Sequence, residues 1–179
     1  MAEMREIKIN SEEIYNGKIL RLDRDLVKCP NGNEAYREVV RHHGGAAILC
    51  LNEENEVLLE RQFRYAYDEV IYEIPAGKLE KGEDPYCAAL RELEEETGFM
   101  ANKLESLGVI YPSCGYTDEK IYLFLANDYT KTKTHFDDDE VIETIWVSIR
   151  KLKNMILNGE IKDAKTICAL NNYLIKDNK

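Results

Sequence analysis

From residue 17 onward apolar and polar positions alternate with a period near two. In "GKILRLDRDLVKC" (17–29), Ile19, Leu20, Leu22 and Leu26 stand among charges, and "EAYREVVRH" (34–42) repeats the pattern. Such alternation predicts half-buried strands, and the turn-forming "CPNGN" (29–33) between them predicts a hairpin. "AAILCLN" (46–52) and "EVLLERQFRY" (56–65) follow as apolar, β-rich runs around the polar turn "EEN", and "VIYEIPAG" (70–77) leads onward. After Pro85 the period changes. Tyr86, Ala89, Leu90, Leu93 and Thr97 recur at helical spacing, Pro85 suits a first helical turn, and Gly98 supplies a stop. "LGVIYPS" (107–113), "KIYLFLAND" (120–128) and "VIETIWVSI" (141–149) read as further strands, before helices near 150–159 and 164–176. Strands and helices do not alternate regularly, so the expected class is α+β, a mixed sheet between helices and not a Rossmann fold. No repeat or linker interrupts the chain. We expect an N-terminal antiparallel β arm over residues 1–43 and a main domain over 44–179.

Composition narrows the functional classes. The 179 residues are 44% hydrophobic and 32% charged, with a net charge of −10. No apolar run reaches the roughly 18–20 residues that span a bilayer, and "MAEMREIKINSEEIYNGK" lacks the apolar centre of a signal peptide, so a cytoplasmic protein off the membrane is expected. Five scattered cysteines without a C-x-x-C pair and three histidines suggest neither a disulfide framework nor a zinc site. No basic stripe answers a phosphate backbone, which argues against nucleic acid as a partner. An acidic protein that handles phosphates needs metal ions to invert the local field.

That requirement meets residues 77–99, "GKLEKGEDPYCAALRELEEETGF", where Glu92, Glu94, Glu95 and Glu96 fall within five positions. Like charges one helical turn apart repel by roughly 0.2–0.5 kcal/mol per pair. Glu92 and Glu96 are one turn apart and share a side with Glu95, so a cation is expected between them. Divalent hard cations take one or two carboxylates with waters and phosphates. Arg91, four residues before Glu95, can orient that carboxylate, and Gly77 and Gly82 let the preceding loop fold tightly. Gly77, Glu83, Arg91-Glu92-Leu93, Glu95-Glu96 and Gly98-Phe99 match G-x5-E-x7-R-E-U-x-E-E-x-G-U at every fixed position, U being bulky and apolar. The stretch resembles the Nudix box.

The resemblance implies the α/β/α Nudix fold and a metal site made by Glu92, Glu95, Glu96 and the carbonyl of Ala76. It would hold two or three Mg²⁺, with Mn²⁺ able to substitute, and Gly77, Glu83, Arg91 and Gly98 would support the motif. "RQFRYAYDEVIYEIPAGKLEKGE", "YPSCGYTDEKIYLFLA" and "GEIKDAKTICAL" resemble the ADP-ribose pyrophosphatase branch, as does Pro112 downstream of the box. The likeness runs from near residue 15 to near 176. "RHHGGAA" departs from a histidine-proline pair common at that point, away from the box. The implied reaction is metal-assisted hydrolysis of ADP-ribose to AMP and ribose 5-phosphate. Glu140 in "FDDDEVIE" is the first choice for a general base, with Asp138 and Glu95 as alternatives. Arg64 resembles a substrate-contacting position. Glu73 either faces substrate or hydrogen-bonds the loop. The arm implies a homodimer, with Tyr36 or Phe63 available to stack on adenine. Nucleotide-sugar pyrophosphatases acting on GDP-mannose or UDP-glucose are the rival enzymes. A non-catalytic ligand-binding module would show a damaged box, and this box is whole.

Overall fold

The structure, a computed structural model, describes residues 4–136 and 141–176. Its residues form two compact units, 1–43 with 111–120, and 44–110 with 121–179.

In the first unit β1 (Ile7–Asn16), β2 (Arg21–Lys28) and β3 (Glu34–Arg41) pair antiparallel in that order. The expected hairpin is therefore one strand short. β1 escaped the sequence pattern because all ten of its residues are exposed. A strand held by ladder hydrogen bonds alone has no buried face to set a period of two. On β2 the inward face is partly ionic, since Asp23 and Asp25 are buried beside Val27.

The second unit builds two larger sheets and a two-stranded one where the sequence suggested a single mixed sheet. β4 (Gly45–Cys50) lies between β7 (Ala76–Lys78) and β10 (Ile121–Ala126), and β9 (Glu105–Ile110) completes the order β7-β4-β10-β9. The β4–β10 pair is parallel and the other two are antiparallel, so this sheet is mixed. β5 (Glu56–Arg64), β6 (Glu69–Glu73) and β12 (Ile142–Ser148) form an antiparallel sheet in the order β12-β5-β6. β8 (Phe99–Ala101) and β11 (Tyr129–Lys131) make a small pair, too short for sequence periodicity to register.

Helices cover both faces. α1 (Pro85–Thr97) starts at Asp84, whose side chain accepts from the backbone N–H of Tyr86 and Cys87. It ends at Gly98, whose left-handed φ of 69° places its N–H on the Glu94 carbonyl. Successive residues of β4 point to opposite faces. Ala46, Ile48 and Cys50 join the core that holds Ala88, Ala89 and Leu93 of α1. Ala47 and Leu49 join the other core, with Leu152 and Met155 of α2 (Ile149–Leu157) and Ala169, Leu170 and Tyr173 of α3 (Ala164–Lys176). Burying each Ile or Leu of β4 on these two faces contributes about 1.5–3 kcal/mol. The result is an α+β layering with β4 at its centre and the 76–77 strand end beside α1.

Candidate active site

α1 brings its carboxylates to one place by a single guanidinium. Arg91 Nη1 donates to Glu95 Oε2 at 2.9 Å and meets Glu92 Oε1 at 2.9 Å. Its Nε and Nη2 each donate to Glu83 at 3.1 Å, and Nη2 reaches the Lys78 carbonyl at 3.4 Å. Hydrogen bonding to Glu83 leads the causes that raise the Arg91 pKa, and Arg91 in turn holds the Glu83 carboxyl below its ordinary range. Glu83 also accepts from the Glu80 N–H at 2.8 Å, which fixes the loop ahead of the helix.

The remaining box carboxylates converge on the end of β7. Glu96 is only 5% exposed, and its Oε2 accepts from the Ala76 N–H at 3.0 Å. A Cβ placed on Gly77 would lie 1.8 Å from Glu92 Cδ, so the glycine leaves the space that this carboxylate occupies. Two carboxylates thus meet the end of β7, Glu96 on the Ala76 N–H and Glu92 in the space Gly77 leaves, and carboxylate oxygens are of the hard class that divalent cations take. Among the described residues no group of three or more Asp, Glu, His or Cys side chains is arranged to hold a metal ion by itself. The ion that suits such an open set is one that keeps waters and substrate phosphates as ligands. Past α1, the Thr132 N–H donates to the Gly98 carbonyl and the His135 N–H to the Glu95 carbonyl, tying residues 132–135 to the helix end. Asp138 and Glu140 lie outside the described residues.

A second group joins Arg64, the last residue of β5, to Glu73, the last residue of β6. Glu73, 1% exposed, accepts from Arg64 Nε at 2.7 Å through one oxygen and from Lys165 Nζ through the other. Lys165 also reaches Asp163 at 3.0 Å. Asp163 caps α3, accepting from the Thr166 N–H at 2.9 Å and from its hydroxyl at 2.5 Å, while Thr166 Oγ1 accepts from the Ile74 N–H at 2.9 Å. Burial works against ionising Glu73, yet the hydrogen bond from Arg64 and the charge of Lys165 outweigh it and lower its pKa. Burial likewise opposes a charged Lys165, and Asp163 and Glu73 outweigh it. Arg64 also feels the charges of Glu96 and Asp163. An open depression of about 260 Å³ is lined by Arg64, Tyr65, Tyr67, Ile71, Glu73 and Lys165.

Of the residues the sequence singled out, the structure gathers Ala76, Gly77, Glu83, Arg91, Glu92, Glu95 and Glu96 around α1. It joins Arg64 to Glu73. Phe63 is exposed on β5, and Tyr36, in the β1–β3 unit, lies under the Arg24 guanidinium at 5.3 Å. Lys165 and Asp163 carried no sequence signal as site residues. Asp163 with Thr166 three positions later is a legible helix cap, but Lys165 meets Glu73 across 92 residues of chain.

The layered fold and the carboxylate helix seated on a glycine strand end define the class: an α/β/α protein that assembles oxygen donors on one helix. The NUDIX domain family model matches residues 41–170, and the chain belongs to that family. It is 39% identical over 179 residues to an ADP-ribose pyrophosphatase of Bacillus subtilis (strain 168), covering 99% of this chain and 97% of that one. It is 40% identical over 167 residues to a methanol dehydrogenase activator of Bacillus methanolicus, covering 92% and 90% of the two chains. A crystal structure of an ADP compounds hydrolase matches with a TM-score of 0.83 at 20% identity, over 97% of this chain and 96% of that one, which shows the fold.

Proposed function

We propose that this protein hydrolyses the pyrophosphate of ADP-ribose to AMP and ribose 5-phosphate with the help of divalent metal ions. The observation that carries the reading is the seating of Glu92 and Glu96 against residues 76–77, with Arg91 holding Glu95 and Glu83 alongside. The relative in Bacillus subtilis supports the choice of substrate. Glu92, Glu95, Glu96 and the Ala76 carbonyl would hold two or three Mg²⁺, or Mn²⁺ in their place. When bound, such ions polarise phosphoryl oxygens and lower the pKa of water.

The chain's own groups divide the remaining work. Arg91 fixes the rotamers of Glu92 and Glu95, so that the donors are oriented before substrate arrives. Arg64 spends its Nε on Glu73 and lines the depression, where its Nη groups would offer a phosphate a charge-assisted pair. Water attacks one phosphorus, the bridging P–O bond breaks, and the leaving phosphate oxygen carries away the electron pair. The water proton passes to a general base, with Glu140 ahead of Asp138 and Glu95 for that role. Phe63 and Tyr36 are exposed rings of the kind that stack on adenine. The β arm over 1–43 pairs with a second copy to make a homodimer, supported by the fully exposed β1 with Ile7, Ile9 and Ile14 on it.

A Mg²⁺-dependent hydrolysis panel over ADP-ribose, GDP-mannose, UDP-glucose, NADH and diadenosine polyphosphates tests the substrate. ADP-ribose should give the highest kcat/KM, and a preference for a nucleotide sugar would overturn the reading. The same assay on Glu140→Gln, Asp138→Asn and Glu95→Gln ranks the base, because its loss should lower kcat with little change in KM. Light scattering that finds a fully active monomer would remove the dimer.

A further inference from the structure

The two oxygens of Glu73 are occupied by different cations, and this decides what Arg64 can do. A buried carboxylate next to a guanidinium favours the two-pronged pairing in which both oxygens accept parallel N–H groups. Here only Arg64 Nε bonds to Glu73, at 2.7 Å, because the second oxygen is taken by Lys165 Nζ. Lys165 is held there by Asp163, which the α3 cap fixes in turn. Both side chains line the depression, but Lys165 is 12% exposed against 39% for Arg64, so the arginine is the cation that offers most of its surface to a ligand. We propose that Lys165 is a positioning residue: by filling one oxygen of Glu73 it keeps Arg64 singly bonded and leaves both Nη groups for an anionic substrate.

The chain Asp163–Lys165–Glu73–Arg64 thus carries a constraint from the start of α3 to the substrate side of β5. Without Lys165 the free oxygen of Glu73 would capture a second N–H of Arg64 and draw the guanidinium inward. The loss should appear in substrate binding and not in the chemical step. The opposite charges that flank Lys165 keep it protonated, so it acts throughout the neutral range as a fixed cation.

This inference rests on the proposed hydrolysis of a nucleoside diphosphate, and its test has one arm independent of that reading. In Lys165→Met, KM for ADP-ribose should rise on the order of tenfold, the weight of one charged hydrogen bond, with kcat within about threefold. Lys165→Arg should stay near the parent, since it still fills the oxygen. Adding Glu73→Gln to Lys165→Met should recover most of the lost affinity, because an amide offers one acceptor oxygen and cannot take the guanidinium two-handed. A merely structural role predicts the reverse, a double variant worse than either single one. The independent arm is a crystal structure of Lys165→Met without substrate, in which Arg64 should pair with both oxygens of Glu73. An unchanged KM, a fall confined to kcat, or an Arg64 still bonded only through Nε overturns the proposal. If the parent protein leaves ADP-ribose intact, the substrate reading fails while the crystal structure still decides the role of Lys165.

Discussion

Two acidic clusters in this chain are built on opposite plans. In the arm, Asp23 and Asp25 are buried on one face of β2 and are outnumbered by cations. Asp23 bonds to Arg21 at 3.0 Å and to Arg41 at 3.1 Å, and Asp25 to Arg41 at 2.9 Å, to Ser11 at 2.5 Å and to Lys8 at 3.4 Å. On α1 the ratio is reversed. The guanidinium of Arg91 serves Glu83, Glu92 and Glu95, while Glu96 accepts from a backbone N–H and lies in the field of Arg64, which is itself bonded to Glu73. Asp23 and Asp25 are each met by two cations, and Arg41 also holds Asp118 at 3.2 Å, so these acids are structural. The α1 cluster is left with an excess of negative charge, and excess negative charge on oxygen donors is what a divalent cation requires. The local ratio of acids to cations separates the two clusters.

The comparison can be broken most sharply at Gly77. Gly77→Ala would push a methyl into the Glu92 carboxylate, which is the mobile end of a flexible side chain. The fold should therefore survive, with a melting stability within about 1 kcal/mol of the parent. Turnover should fall on the order of a hundredfold, the scale of a displacement near 1 Å at a reacting centre. Normal turnover in a folded Gly77→Ala protein would show that the position of Glu92 does not matter.

Acid sharpens it from the other side, with a smaller effect. The hydrogen bond from Ser11 leads the causes that hold the Asp25 carboxyl below its usual range, with Lys8 and Arg41 adding to it. For Asp23 burial opposes ionisation, and the hydrogen bonds from Arg41 and Arg21 outweigh it. A carboxyl depressed in the folded state contributes stability that is present above its unfolded pKa, about 3.9, and is lost as pH falls through the lower folded value. Amide exchange should therefore show β1–β3 losing protection as pH drops below about 4, with Mg²⁺ making no difference there. Protection that persists in the arm at pH 3, or that Mg²⁺ restores, would place its acids in the same category as those of α1.

Much of this was legible in the sequence where local spacing carries the physics. Pro85, the apolar face through Ala89 and Leu93, and the stop at Gly98 are all read from one local stretch, and α1 has those bounds, with Asp84 added as its cap by the structure. The convergence of Glu92 and Glu96 on residues 76–77 follows from the box spacing and the short return from β7 into α1. β1 was missed because its residues bury nothing. The division into separate sheets was missed because strand runs do not state their partners, and β4 pairs with β10 across 76 residues, as Gly45 with Ile121. Lys165 was invisible for the same reason, being an ordinary helical lysine until α3 docks it onto Glu73.

The central claim is that the charge excess on α1 is there to hold divalent cations that the reaction needs. A Mg²⁺ titration of melting temperature on the parent and on Glu92→Gln/Glu96→Gln, with ADP-ribose turnover on both, tests it most directly. Binding to the folded state alone should stabilise the parent by about 2.7 kcal/mol when Mg²⁺ is a hundredfold above its dissociation constant. The double variant should start a few tenths of a kcal/mol more stable, since like-charge repulsion is relieved. It should then gain nothing from Mg²⁺ and lose on the order of 10²–10³ in turnover. A double variant that keeps the parent's Mg²⁺ response and its turnover would contradict the claim outright.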